Sequence, residues 1–225
     1  SVKAALGLTT NVSLTDYDPM SVLVAGVGDV QSAGTVLLKA QQLFAVVNAV
    51  SGLASSVSGS QAEALKATIS VIKQTDLSKL VGAGGGDAAV LSQVIANVVP
   101  TYAGAADVAA NAIVGVNGVL GEMLANPANA LSADARAAAL VSQNDLVTQF
   151  KSIADLDPTI SLSQITAKLA NYATPELVKA NFANIYAETI AAQDRAGGGV
   201  ITGVDEKTFV GGKNRRILVS DLLAN

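Results

Sequence analysis

Apolar residues recur along the chain at helical spacing, and the polar residues between these runs are the types that start and stop helices. The clearest run begins at Val36. Val36, Ala40, Leu43, Val47, Val50, Ala54 and Val57 alternate spacings of four and three. That is a narrow apolar seam, and it predicts one long helix packed side by side with another. Upstream, residues 2–8 predict one helical turn ending at Gly7, followed by a polar loop over 9–18. Asp18-Pro19 supplies an N-cap and a first-turn proline. Gly26, Gly28 and Gly34 predict a break before the long helix.

Further helices follow from their caps. Ser60-Gln-Ala-Glu63 reads as a capping box opening a helix to about Gln74, with Leu65, Ile69 and Ile72 inward. Asp87 caps a helix carrying Val90, Leu91, Val94, Ile95 and Val98, which Pro100 ends or kinks. Residues 108–124 are helical by period, with Gly115, Gly118 and Gly121 at every third position. Each glycine costs a helix about 1 kcal/mol relative to alanine. Three on nearly one face predict a second backbone in close approach. Ser132 or Asp134 starts a helix continuing to about Ile153, Ser161 to Gln164 forms another capping box, and Thr174-Pro175-Glu176 opens a last helix to about Asp194.

After Ala196 the pattern changes. Gly197 to Gly199 reads as a linker, and 200–225 holds β-branched residues and the run Arg216-Ile-Leu-Val-Ser. The expected architecture is all-α, a multi-helix bundle over 1–196 with a short C-terminal β extension over 197–225. A lone strand needs a partner, either the helical body or another chain.

Composition then narrows the chemistry. Half the residues are apolar, yet there is no Trp and only four Phe and four Tyr. Such a core relies on many small side chains packed closely rather than on aromatic anchors around a deep pocket. With neither Cys nor His, thiol nucleophiles, structural zinc, disulfides and histidine-based catalysis are excluded. A net charge of −4 argues against non-specific nucleic-acid binding. Two uncharged stretches, Ala40 to Ala62 and Ala88 to Ala106, raise the question of membrane spans. Their Gln, Asn, Ser and Pro content reads better as buried helices, and the chain is expected not to span a membrane. No charged start followed by an apolar core marks a signal peptide; an exported protein would carry its signal elsewhere or have lost it.

Few motifs point to chemistry. Gly82-Ala-Gly84-Gly85-Gly86 lacks the Lys-Ser/Thr of a phosphate loop, and Asp87 puts negative charge where a phosphate would sit; it reads as a flexible connector. Carboxylates pair at Asp16/Asp18, Asp155/Asp157 and Asp205/Glu206. The first two pairs are calcium candidates, although Asp18 and Asp157 each precede proline and so also serve as caps or turns. No other cofactor is expected. Basic Lys207, Lys213, Arg215 and Arg216 discourage unwanted edge pairing or contact an acidic polymer. Buried Asn fixes register between helices, but exposed Asn is commoner; Asn48, Asn97, Asn111 and Asn117 all lie on apolar helices.

Two stretches carry a resemblance. Val2-Lys-Ala-Ala-Leu-Gly-Leu with Val12-Ser-Leu-Thr-Asp-Tyr-Asp-Pro resembles a helical segment of very large, calcium-dependent bacterial surface adhesins. Asp205-Glu206 and Ile217-Leu-Val-Ser-Asp-Leu-Leu-Ala-Asn225 resemble the opening strand of the cadherin-like repeats in those proteins. There the Asn is usually followed by Asp-Thr-Asp, part of a calcium site at the repeat junction; the given sequence ends before those residues. The resemblance implies an extracellular setting and an adhesion, biofilm or surface-coat role. The expected function is a non-catalytic structural or interaction module. Ile217, Leu218, Val219, Leu222 and Leu223 would pair with an adjacent module or a second copy. The alternatives are a self-assembling subunit of a surface filament or sheet, and a helical binding module for an apolar ligand.

Overall fold

The computed structural model describes residues 2–8, 17–55, 57–154 and 160–181, and among them the regular structure is entirely helical. The expected β extension, with Ile217, Leu218, Val219, Leu222 and Leu223, lies outside the described residues. So do Asp16, Asp155, Asp157 and the expected last helix beyond Asn181.

Helix α1 (Val2–Leu6) stops at Gly7, which adopts φ 79°. Leu6 and Leu8 bury with Val36, and Tyr17 packs on the same cluster. Asp18 opens α2 (Pro19–Ala25) as read from the sequence, accepting from Met20 N at 2.9 Å and Ser21 N at 3.3 Å. Gly26 and Gly28, at φ 63° and 91°, then turn the chain.

Helix α3 (Val30–Ala54) is the centre of the fold and packs against α1, α2, α4, α6 and α8. It starts six residues earlier than the apolar seam, because Asp29 caps it through Ser32 N at 3.0 Å. Gly34 lies inside the helix rather than in the break. Val36, Val50 and Ala54 of the predicted seam are buried, but its middle is not. Ala40 is exposed, Leu43 and Val47 are half-buried, and Val57 lies beyond the helix end and faces outward. The stripe fully withdrawn from solvent runs Leu38, Gln42, Ala45, Val46, Ala49 and Val50. A helix surrounded by neighbours has no single apolar face, so a seam drawn from large side chains missed the small and polar positions that touch them.

Ser60 Oγ accepts from Glu63 N at 3.2 Å and opens α4 (Gln61–Lys73). Its buried stripe is Ala64, Thr68 and Ile72; Leu65 and Ile69 point outward, contrary to expectation. Asp87 caps α5 (Ala88–Val98), whose Leu91, Val94 and Ile95 are buried. Pro100 ends it in a 3₁₀ segment (Pro100–Ala105) leading into α6 (Ala106–Glu122). Of the residues on the period, Ala112, Ile113, Val116, Val119 and Leu120 are buried along α6, while Met123 is half-buried in the turn beyond it.

After 3₁₀ turns at Met123–Ala125 and Pro127–Leu131, Ser132 caps α7 (Ala133–Leu140). One wide π turn (Val141–Asp145) joins it to α8 (Leu146–Ala154). The capping box at Ser161 and Gln164 is complete in both directions and opens α9 (Leu162–Leu169). A 3₁₀ turn (Ala170–Tyr172) follows, and helix resumes over 175–181, with Leu177 N donating to Thr174 Oγ1 at 3.4 Å.

Neither uncharged stretch considered as a span is one continuous helix. The first ends as helix at Ala54, and the second is divided between α5 and the Pro100 segment. The helical stretches Val30–Ala54 and Pro100–Ala125 are long and apolar enough to cross a membrane, and most of each is buried within the fold.

Candidate functional site

The most specific arrangement among the described residues is a joint between α3, α6 and the glycine-rich loop. Gln42, fully buried, donates from Nε2 to Gly82 O and to Asn117 O, both at 2.8 Å. Its Oε1 accepts from Gly82 N at 2.9 Å. Asn117 answers from α6, donating from Nδ2 to Gln42 O at 3.1 Å. One amide from each long helix thus bonds the backbone of the other, and Gln42 also pins the loop. A buried polar group left without its partner costs about 1–3 kcal/mol, so the joint holds the three pieces in one register.

The glycines make the approach possible. A Cβ on Gly121 would sit 2.2 Å from Ala83 O and 2.6 Å from Gly82 O. One on Gly85 would sit 2.3 Å from Val114 O, and Gly85 holds φ 83°. The loop closes at its neck through Asp87 N donating to Lys79 O at 2.7 Å, and Leu80 and Val81 are buried. The stretch is therefore a packed loop seated on α6 rather than a flexible connector. Gly115 and Gly118 receive the other side of the fold: a Cβ on Gly115 would lie 2.0 Å from Tyr172 O, and one on Gly118 2.6 Å from Pro175 Cγ. The second backbone predicted from the three glycines is in fact two, one on each flank of the helix.

Polar contacts tie this centre outward. Ser92 Oγ donates to Asp107 Oδ1 at 2.6 Å, linking α5 to α6. Tyr172 donates its hydroxyl to Asp145 in the π turn, and Lys179 pairs with Glu122 at the end of α6. Burial first, and then the Asp145 hydrogen bond and charge, push the Tyr172 pKa well above the usual phenol value. Asp29, Asp76 and Glu176 lie below the usual carboxylate range because hydrogen bonds stabilise their charged forms.

Of the calcium candidates, Asp18 is described, and its carboxylate serves the first turn of α2. Among the described residues no three acidic side chains converge as a metal site. An apolar hollow lined by Leu53, Tyr102, Phe150 and Ile165 has a volume of about 10 Å³, room for one water at most. Sequence reasoning passed over the central joint. Gln42 is one of the polar residues in the uncharged stretch from Ala40 to Ala62, and Asn117 is one Asn among four on apolar helices. The usable signal was a lone amide in the stripe Leu38, Gln42, Ala45, Ala49, where every neighbour is apolar. The Tyr172–Asp145 contact carries no sequence signal, since it joins distant residues of ordinary type.

No protein-family model, no curated protein and no solved structure matches this chain.

Proposed function

We propose that the chain is a non-catalytic structural or interaction module of a bacterial extracellular surface protein, which does not span the membrane and serves adhesion, biofilm or surface coating. The observation that carries this reading is how the interior spends its polar groups. Among the described residues Gln42, Ser51, Thr68, Asn117 and Ser142 are the buried polar residues, and each donates to backbone; of their side-chain atoms Asn117 Oδ1 is the one left without a partner. Donors committed to backbone in this way hold a shape rather than bind or activate a substrate. The head and tail resemblances supply the surface setting. In this reading the tail residues Ile217, Leu218, Val219, Leu222 and Leu223 pair with the next module or a second copy, and calcium at Asp16, Asp18, Asp155 or Asp157 is optional.

A related reading, a self-assembling subunit, is favoured by Val24 and Val27, which stand 74% and 73% exposed at the α2–α3 corner. Deleting residues 200–225 tests both. Strand donation predicts loss of assembly by light scattering with the helical body's melting unchanged; unchanged assembly rejects it. Val24→Ser with Val27→Ser in the full chain should abolish assembly only if the corner is the contact.

A further inference from the structure

Asn117–Gly118 is the single Asn–Gly pair in the sequence. In an open chain this pair is labile, because glycine has no Cβ to keep its backbone nitrogen from the preceding side chain. The Gly118 nitrogen attacks Asn117 Cγ. The N–Cγ bond forms as Cγ–Nδ2 breaks, and the Gly118 amide proton leaves with the departing ammonia. Water then opens the resulting succinimide at either carbonyl, giving aspartate or isoaspartate. Overall an amide and a water become a carboxylate and ammonium, with no other reactant.

The fold removes each requirement. Both residues lie within α6, where helical dihedrals keep Gly118 N away from Asn117 Cγ and that N–H belongs to the helical ladder. Asn117 is fully buried, and its Nδ2, the leaving group, is held on Gln42 O. The loop covers one side, since a Cβ on Gly85 would lie 2.5 Å from Gly118 N. Pro175 covers Gly118 itself.

We propose that Asn117 is a conformation-gated modification site, silent in the folded module and converted to aspartate or isoaspartate in a chain held open. The product cannot rebuild the joint. A carboxylate has no hydrogen to donate to Gln42 O, and it brings charge into a fully buried position. Isoaspartate also lengthens the backbone of α6 by one carbon. A chain that stays unfolded is thereby marked and barred from the native state.

The test incubates the full chain at mildly alkaline pH, folded and in urea, with peptide mapping of residue 117 over time. Conversion in urea should exceed that of the folded protein by more than about a hundredfold, since the open fraction of a stable fold is small. On dilution, unconverted chains should refold while converted chains from the same sample stay open by circular dichroism. Gly118→Ala, assayed only in urea, should slow conversion. A folded rate within a hundredfold of the urea rate overturns the gating. Converted chains that regain the unmodified melting temperature overturn the consequence, and an unchanged Gly118→Ala rate overturns the chemistry.

Discussion

Helices α4 and α6 are both apolar and both well formed, yet they are used in opposite ways. In α4 the large side chains Leu65 and Ile69 face outward, and the buried stripe is Ala64, Thr68 and Ile72. In α6 nearly every residue from Ala112 to Gly121 is buried, and the closest contacts are made where side chains are missing altogether. Helix contact in this protein is therefore set by small residues and backbone proximity, with large apolar groups filling what remains. A few missing atoms at Gly85, Gly115 and Gly121 matter more than several methylenes at Leu65.

Substitutions should separate the two regions cleanly. The largest effect is expected from Gly85→Ala, which adds both a strained φ and a Cβ 2.3 Å from the Val114 carbonyl. Backbone cannot swing aside, so a loss of about 4 kcal/mol in urea-denaturation free energy is expected. Next comes Gln42→Leu, which keeps the volume but takes the acceptor from Gly82 N and a buried donor from Gly82 O and Asn117 O. That should cost about 3 kcal/mol, whereas Gln93→Leu on the exposed side of α5 should cost almost nothing.

Tyr172→Phe removes the hydroxyl from Asp145 and should cost about 1 kcal/mol near neutral pH. Its pH dependence is the sharper readout. The folded pKa of Tyr172 is raised, so its contribution is complete below about pH 10 and is lost as pH rises toward the folded value. The wild-type advantage over the variant should therefore shrink above that pH. The smallest effect belongs to α4: Leu65→Ser with Ile69→Ser should stay within about 0.5 kcal/mol of wild type. A large loss there would erase the contrast between the helices.

Much of the fold was legible because it rests on local chemistry. Asp18, Ser60, Asp87, Ser132 and Ser161 each cap the helix read from them, since a cap and its first turn are neighbours in sequence. The three α6 glycines announced a close approach because their cost in a helix demands a compensating contact. What stayed hidden was long-range. Which side of α3 is buried depends on the helices around it, so the seam through Ala40, Leu43 and Val47 failed. Asn117 and Gln42 lie 75 positions apart, and only the assembled fold says that they meet.

The glycine-rich loop bears on how this protein can be engineered. Gly82 to Gly86 has the composition of a spacer, the place where a tag or a grafted epitope would normally go. Its neck is closed between Lys79 and Asp87 and its backbone rests on a helix, so an insertion there would act as a wedge. The corner at Gly26, Val27 and Gly28 is exposed and touches little, and a foreign sequence placed there would leave the central register intact.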